Sequence, residues 1–209
     1  MKTAFPFWIA AVLALIAGPA LSQNTGPYVG IGIGATKGDL DRERIDAALA
    51  SGGVNVASRT DDNDASYRAM LGYRYDQWFA LEAAYINFGE YTYTAGFGGT
   101  NRTFSSEAWA AGINGLLFYP VIPGLEVFAK AGLHLTEVKA DAITVGGVTA
   151  RAAETANGFS PSIGAGLSSD VASFLTVRFE YDRYFNVGNV NTTGEQHINA
   201  AAVSAILRF

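Results

Sequence analysis

The feature that most constrains this chain is an alternation of side-chain character that recurs from residue 28 to the C-terminal residue. Eight segments alternate apolar residues with small or polar ones at a period of two, the period of a β-strand rather than a helix. Successive side chains of a strand point to opposite faces, so the pattern gives each strand one apolar face. The segments are residues 28–36, 66–75, 78–88, 106–119, 125–138, 159–168, 174–184 and 197–209.

The connections between these predicted strands alternate in length. Three are short (76–77, 120–124 and 170–173) and four are longer (about 37–65, 89–103, 139–158 and 186–196). Short turns at one end and long loops at the other are typical of an up-and-down antiparallel barrel. Within the loops, residues 41–50 are predicted to form a short helix ended by Gly52 or Gly53, and residues 144–149 a hairpin tip that extends the fifth and sixth strands.

The two faces of the predicted strands differ sharply in charge. One face is uncharged within the predicted band, and the other carries five cations and three carboxylates: Arg68, Arg74, Glu82, Lys130, Arg178, Glu180, Asp182 and Arg208, here named the lumen charge network. A soluble barrel turns its apolar face inward, whereas a membrane barrel turns it towards lipid. Periodicity alone leaves both orientations open.

Glycines and aromatic residues favour the membrane orientation. Eight glycines, among them Gly32 and Gly112, share the charged face, and the interior of an eight-stranded barrel holds large side chains only where small neighbours make room. Rings such as Tyr73 and Trp109 lie near strand ends of the apolar face, as in interfacial girdles. The reverse orientation would turn five Arg/Lys side chains to lipid, at ~2–4 kcal/mol each at the midplane. We therefore predict an all-β, eight-stranded antiparallel up-and-down transmembrane β-barrel, with a soluble lipocalin-like barrel as the alternative.

The N-terminal segment predicts export. Lys2 is followed by the apolar run 7–17, and Ala20 and Ser22 are small residues at the positions that precede a cleavage site. Residues 1–22 are thus predicted to be a signal peptide, and residues 23–209 the barrel domain. The absence of cysteine excludes disulfides and thiolate chemistry, and a net charge of −5 without a Lys/Arg run argues against nucleic-acid binding.

Several short motifs carry a resemblance to a known family. They are Tyr28-Val29-Gly30-Ile31-Gly32, Leu81-Glu82-Ala83-Ala84-Tyr85 with Asn87-Phe88-Gly89, Val127 to Gly132, Ser160-Pro161 with Gly164-Ala165-Gly166, Val177 to Tyr181, and the ending Arg208-Phe209. In this order the chain resembles the OmpA-like outer-membrane β-barrel family, the eight-stranded transmembrane domain, over residues 24–209. The resemblance implies location in the Gram-negative cell outer membrane, contact with its lipid and lipopolysaccharide, and Phe209 as the signal read by the barrel-assembly machinery.

Two departures from the family limit what the resemblance implies. Many members carry a peptidoglycan-binding domain after the barrel, and because this chain stops at Phe209 we expect that domain to be lacking. Family members also have interior acid–base pairs proposed to gate a narrow channel. Glu82, Arg178 and Glu180 match such positions, but Ser168 replaces the acid of the sixth strand. The lumen charge network is either a mutually paired plug or a gated ion path, and the narrow interior favours the plug.

Enzymatic and metal chemistry find little support in the sequence. His134 and Ser160 lie at a depth used by lipid A-modifying barrel enzymes, but the parity of His134 turns it inward and no acid orients it. Asp61, Asp62 and Asp64 lack a complete calcium-loop motif, which favours a solvated acidic loop. The alternative is that divalent cations bridge these carboxylates diffusely to lipopolysaccharide phosphates. No catalytic set, metal site or cofactor is predicted.

The predicted function is therefore a structural or surface-interaction role. A monomeric barrel would anchor extracellular loops in the outer membrane, and the loops would bind surface partners. The alternative is a narrow gated channel for ions or small solutes, and a lipid A-modifying enzyme is the third hypothesis.

Overall fold

The computed structural model describes residues 25–38, 42–189 and 194–209, so the predicted signal peptide lies outside the described residues. The described elements, in chain order, are β1 (Gly26–Lys37), α1 (Arg42–Ser51), β2 (Ala57–Asp61), β3 (Asn63–Arg74), β4 (Phe79–Phe97), β5 (Thr100–Ile122), β6 (Leu125–Ala140), β7 (Ile143–Val145), β8 (Val148–Arg151), β9 (Glu154–Ala172), β10 (Leu175–Asn189) and β11 (Gly194–Arg208). Within these ranges, no helix has the length and apolar character needed to cross a bilayer.

Eight of the described strands close into an antiparallel ring. The order around the ring is β1, β3, β4, β5, β6, β9, β10 and β11, and β11 pairs again with β1. The closing register runs from Tyr28 opposite Arg208 to Lys37 opposite Asn199. Closure leaves no open strand edge, which is the condition for placing a sheet in lipid. The eight-stranded up-and-down barrel predicted from the alternation is confirmed.

The outer wall of the barrel is apolar and its interior is polar. Ile31 is 70% exposed and Leu133 is 55% exposed, whereas Arg68 and Glu82 on the other parity are buried. Exposed rings form one band towards the turn end and another towards the loop end; the first includes Tyr73, Trp78 and Tyr119, and the second Tyr67, Tyr85, Phe159 and Tyr181. An apolar belt between two aromatic bands is the surface that a membrane barrel presents to lipid.

The second loop is not the loop that the sequence predicted. β4 continues to Phe97 and β5 starts at Thr100, so the predicted connection 89–103 is wrong and is instead a continuous hairpin. Gly98 and Gly99 form its turn with φ values of +59° and +78°, which suit glycine. The alternation of buried and exposed side chains continues in this hairpin, where Tyr91 and Tyr93 are both buried.

The first and third loops also contain more structure than predicted. The predicted helix is present as α1. A short strand that was not predicted, β2, pairs antiparallel with the upper part of β4. The predicted hairpin at 144–149 is present as β7 and β8, but it forms a separate two-stranded sheet, so its prediction as an extension of the neighbouring strands is wrong. The chain leaves the barrel wall after Ala140 and re-enters it at Glu154.

Candidate functional site

The centre of the barrel interior holds two carboxylates from one strand and two cations from others. Glu180 and Asp182 stand two residues apart on β10 and both point inward. Arg68 Nη1 lies 2.9 Å from Glu180 and 2.8 Å from Asp182, and Lys130 Nζ lies 2.6 Å and 2.9 Å from the same two groups. All four side chains are at most 4% exposed, so two positive charges balance two negative ones without solvent.

A second buried pair lies one step closer to the turn end. Arg178 Nη1 is 2.7 Å from Glu82, and the Tyr28 hydroxyl donates a hydrogen bond of 3.0 Å to the same carboxylate. The Arg178 guanidinium also lies 5.2 Å from the centre of the Phe128 ring, a distance typical of a cation–π contact. The structure therefore brings together six predicted members of the lumen charge network: Arg68, Glu82, Lys130, Arg178, Glu180 and Asp182.

The two remaining members of the network lie near the turn end and bind carboxylates that the sequence analysis missed. Arg74 forms an ion pair of 2.8 Å with Glu126, and Arg208 forms one of 2.9 Å with Asp170 at the barrel rim. Glu126 occupies the same parity as Lys130 on β6, so the alternation itself would have revealed it. With both acids included, the predicted excess of two positive charges disappears.

Two apolar layers enclose the central charges. The layer towards the turn end consists of Tyr28, Met70, Ala80, Leu116, Phe118, Phe128 and Ile206. The layer towards the loop end consists of Ile86, Phe88, Tyr91, Ala108, Ala110, Val138, Tyr184, Val187, Ile198 and Ala200. Along β10 the inward residues are, in sequence, Arg178, Glu180, Asp182 and Tyr184. The first three are charged, and Tyr184 belongs to the apolar layer towards the loop end. At the turn end, the cavity bordered by Arg74 and Arg208 has a volume of about 20 Å³, space for a single water.

His134 faces this interior and not the lipid. The side chain is 1% exposed, its Nδ1 lies 3.4 Å from the Ser162 hydroxyl, and its ring packs edge-on against Tyr184 at 5.1 Å between centroids. Ser160 lies opposite His134 in the strand register, but its hydroxyl contacts Thr136 at 3.0 Å and donates to the Asn186 carbonyl at 3.1 Å. The described contacts contain no nucleophile–base–acid chain at this position.

The loops above the barrel pack into one structured unit. Its apolar core contains Leu49 and Val54 from the first loop, Tyr93 and Ala95 from the upper part of β4, and Ile143 and Val145 from β7. All six side chains are 5% exposed or less. We name this unit the loop platform: α1, β2, the β4–β5 hairpin beyond residue 90, and the β7–β8 hairpin.

Asp46 joins three parts of the loop platform. Its carboxylate accepts hydrogen bonds of 2.6 Å from the Tyr93 hydroxyl on β4 and 2.6 Å from the Ser58 hydroxyl on β2, and it pairs with Arg42 at 3.7 Å within α1. Burial, together with donation to the Asp46 carboxylate, raises the pKa of the Tyr93 phenol well above its ordinary value. The neutral phenol is therefore the form that holds α1 in place.

Asp141 anchors the start of the third loop. Its carboxylate accepts hydrogen bonds of 2.8 Å from the Ser105 hydroxyl and 3.2 Å from the Ser105 backbone N–H, and these bonds lower the pKa of Asp141. The Arg151 guanidinium donates to the Asp141 carbonyl at 3.2 Å, which ties the far end of β8 to the same point. Both ends of the third-loop hairpin are thus attached to the barrel strands.

The predicted acidic cluster is part of this framework. Asp64 accepts hydrogen bonds from the backbone N–H groups of Ala65 at 2.7 Å and Glu90 at 2.6 Å, so its carboxylate serves the junction between β3 and β4. Over residues 25–38, 42–189 and 194–209, no group of three or more His, Cys, Asp or Glu side chains is arranged to hold a metal ion. Phe209 lies beside the first strand, where its backbone N–H donates to the Pro27 carbonyl at 3.2 Å.

Comparison with known proteins gives this architecture a family. The sequence model of the OmpA-like transmembrane domain matches residues 22–209. The chain belongs to the OmpA-like transmembrane domain family. Outer membrane protein A of Salmonella typhi is 24% identical over 160 residues, which cover 76% of this chain and 44% of that protein. The corresponding protein of Shigella flexneri is 24% identical over 140 residues, 67% of this chain and 38% of that protein. This OmpA-like chain therefore spans less than half of the length of these relatives.

Solved barrels share the fold of this OmpA-like protein at low sequence identity. Neisserial surface protein A is 14% identical, with a TM-score of 0.60 and coverage of 88% of this chain and 97% of that one. OprG from Pseudomonas aeruginosa is 8% identical, with a TM-score of 0.55 and coverage of 90% and 100%. The family match and the outer membrane protein A relatives place the OmpA-like barrel in the outer membrane, among its lipid and lipopolysaccharide, which confirms the predicted location.

Proposed function

We propose that this outer-membrane barrel is a non-enzymatic scaffold that presents the loop platform to a partner at the cell surface. The observation that carries the proposal is the buried apolar core that joins the first three loops above the membrane. A chain that needed loops only to connect strands would have no reason to bury Leu49, Tyr93 and Ile143 outside the lipid. Ordered loops on a rigid support are the usual architecture of a recognition surface.

The loop platform offers a cleft between its two hairpin tips. This cleft has a volume of about 480 Å³ and lies between the Gly98 turn of β4–β5 and the Gly146-Gly147 turn of β7–β8. Phe97 is 43% exposed at its edge, and Arg102 lines the cleft beside it. Phenylalanine and arginine are both enriched at protein interfaces relative to the rest of the surface.

A narrow channel is the second candidate, and the buried lumen charge network is the observation that favours it. Ion conduction requires a continuous polar path, and the two apolar layers stand across that path on either side of the charges. Phe118 and Phe128 close the turn side, while Phe88 and Ile198 close the loop side. The interior therefore supports a packed plug better than a pore.

The proposal is tested with cells that lack the chromosomal copy and carry plasmid-borne variants. In one variant, short Gly-Ser linkers replace α1 and the β7–β8 hairpin; in another, Phe97→Ser is combined with Arg102→Ser. We expect both to insert in the outer membrane, as shown by a mobility difference between boiled and unboiled gel samples. We also expect both to lose adhesion to surfaces coated with extracellular-matrix protein and to lose cell–cell aggregation.

Glu107→Ala supplies the matched control, because Glu107 is an exposed side chain on β5 outside the cleft. This variant is expected to keep the wild-type adhesion and aggregation. Wild-type behaviour of the Phe97/Arg102 variant and of the linker variant at equal surface amounts would overturn the proposal.

A further inference from the structure

An apolar groove of about 440 Å³ runs along the outer wall of the barrel, across β9, β10, β11 and β1. Ala165 and Ala201 contribute small outward side chains to the groove, and Tyr181 lies in register between them. Larger residues, among them Ile33, Leu167, Phe179 and Val203, border the groove. Its apolar lining suits a hydrocarbon chain lying along the wall.

Two cations stand directly above this groove, on the same outward parity. Lys37 on β1 and Arg183 on β10 both pair in register with Asn199 of β11, which lies between them. On β10 and β11, Arg183 and Asn199 each lie two residues towards the loop end from a residue that lines the groove, Tyr181 and Ala201 respectively. On β1, Lys37 lies two residues towards the loop end from Ala35, which borders the groove. Two strand spacings separate the cations, which places their Cα atoms about 10 Å apart. The position is just outside the aromatic band, at the level of lipid headgroups.

Neither of these cations has an acidic partner among the residues that the structure describes. Three other surface cations are engaged within the protein: Arg42 pairs with Asp46, Lys139 pairs with Glu137, and Arg151 donates to a loop carbonyl. Lys37 and Arg183 are both exposed, and neither forms an ion pair within 4.0 Å in the described ranges. The Arg183 guanidinium contacts only an aromatic face, 5.4 Å from the centre of the Phe185 ring. Two such charges at headgroup level are complementary to phosphate.

We propose that Lys37, Arg183 and Asn199 bind the phosphate groups of a lipid A molecule in the outer leaflet, with one of its acyl chains in the groove below. The long loops mark this end of the barrel as the external one, and the phosphorylated lipid of that leaflet is lipid A. Two cations about 10 Å apart suit a headgroup with two phosphates better than one with a single phosphate. The site is independent of the loop platform, so either proposal can fail without the other.

The headgroup contact is tested on the full barrel, refolded in detergent, by native mass spectrometry with purified lipids. Bisphosphorylated lipid A, monophosphorylated lipid A and phosphatidylglycerol are titrated separately. We expect bisphosphorylated lipid A to bind most tightly, and Lys37→Ala with Arg183→Ala to weaken it at least about tenfold, since two charge-assisted contacts are lost. Arg59→Ala with Arg102→Ala removes two exposed arginines from β2 and β5, and this control should change the affinity less than twofold.

The groove is tested by filling it. Ala201→Phe should weaken the binding of bisphosphorylated lipid A, whereas Ala83→Phe, on the outer face of β4 and outside the groove, should leave it unchanged. Equal lipid A affinity in wild type and in the Lys37/Arg183 variant would overturn the headgroup site. Equal affinity in the two phenylalanine variants would overturn the groove. Phosphatidylglycerol binding as tightly as lipid A would overturn the choice of ligand.

Discussion

Arg74 and Glu126 form a two-pronged ion pair across the turn end of the barrel, with the Arg74 Nη1 and Nη2 atoms each 2.8 Å from a carboxylate oxygen. The two residues lie on β3 and β6, which are not neighbours in the ring. The Arg74 guanidinium also lies 4.1 Å from the centre of the Phe118 ring. The pair therefore links, below the turn-side apolar layer, two strands that share no backbone hydrogen bond.

We expect Glu126→Ala to destabilise the barrel by about 1–3 kcal/mol, because it leaves a largely buried guanidinium without its carboxylate. Arg74 keeps its hydrogen bonds to the Asp76 and Gln77 carbonyls, which moderates the effect. The double replacement Arg74→Met with Glu126→Leu should be less destabilising than Glu126→Ala, since no charge remains. Urea unfolding in lipid vesicles measures the difference, with Glu107→Ala as the exposed control. A double variant less stable than Glu126→Ala would contradict this account.

The closed interior predicts the electrical behaviour of the barrel. Planar-bilayer recordings of the wild type should show no conductance above that of bare lipid, because apolar layers stand on both sides of the charges. Glu82→Ala should also remain closed, since it breaks the Arg178 pair but leaves both layers intact. An open porin reconstituted in the same way is the positive control. Steady single-channel steps from the wild type would make the channel hypothesis the better one.

The barrel could be predicted from the sequence because its defining signal is local. A period of two fixes which side chains share a face, and the charges and glycines fix which face is inside, so Arg68 and Glu82 were assigned correctly to the interior. Glu126 follows the same rule, because it lies within the predicted strand 125–138 on the parity of Lys130, so the alternation was sufficient to place it in the interior.

The partners inside the barrel and the loop platform depend on non-local geometry. Arg68 on β3 meets Asp182 on β10 across the interior, at a height set by strand tilt and stagger that the alternation does not encode. The short strand β2 has polar residues on both faces, with Ser58 and Thr60 on one and Arg59 and Asp61 on the other, and it is a strand only because β4 supplies its hydrogen bonds. The loop platform is likewise assembled from segments about fifty residues apart, as with Asp46 and Tyr93.

Gly112 tests the idea that glycines make room for interior side chains. A Cβ at this position would lie 2.6 Å from the His134 Cα and would also collide with the Leu133 carbonyl, neither of which can rotate away. We expect Gly112→Ala to destabilise the barrel by about 1–3 kcal/mol through overpacking. Gly115 on the same strand is the matched control, because a Cβ there meets only the Phe79 ring at 3.6 Å. Comparable unfolding curves for the two alanine variants would contradict this role of the interior glycines.

The bond between Tyr93 and Asp46 makes the attachment of α1 sensitive to high pH. The Tyr93 pKa is raised in the folded platform, by burial first and by the Asp46 carboxylate second. Since the folded value lies above the unfolded value of about 10, the contribution to stability is complete below about pH 10 and is lost as the pH rises through the raised pKa. Deprotonation would place a phenolate beside a carboxylate, which should release the helix.

A spin label can follow this release, because the chain contains no cysteine and Glu43→Cys would give a single exposed site on α1. We expect a slow-motion spectrum from neutral pH to about pH 10 and a mobility that increases progressively as the pH rises beyond it, through the raised Tyr93 pKa. With Tyr93→Phe added, the label should be partly mobile already at neutral pH, because the hydrogen bond to a carboxylate, worth about 1–2 kcal/mol, is absent. The same label with Tyr75→Phe, an exposed ring at the turn end, should behave as the parent does. If the mobility of the label changes neither with pH nor on the Tyr93→Phe substitution, the apolar core alone holds the helix and the prediction is wrong.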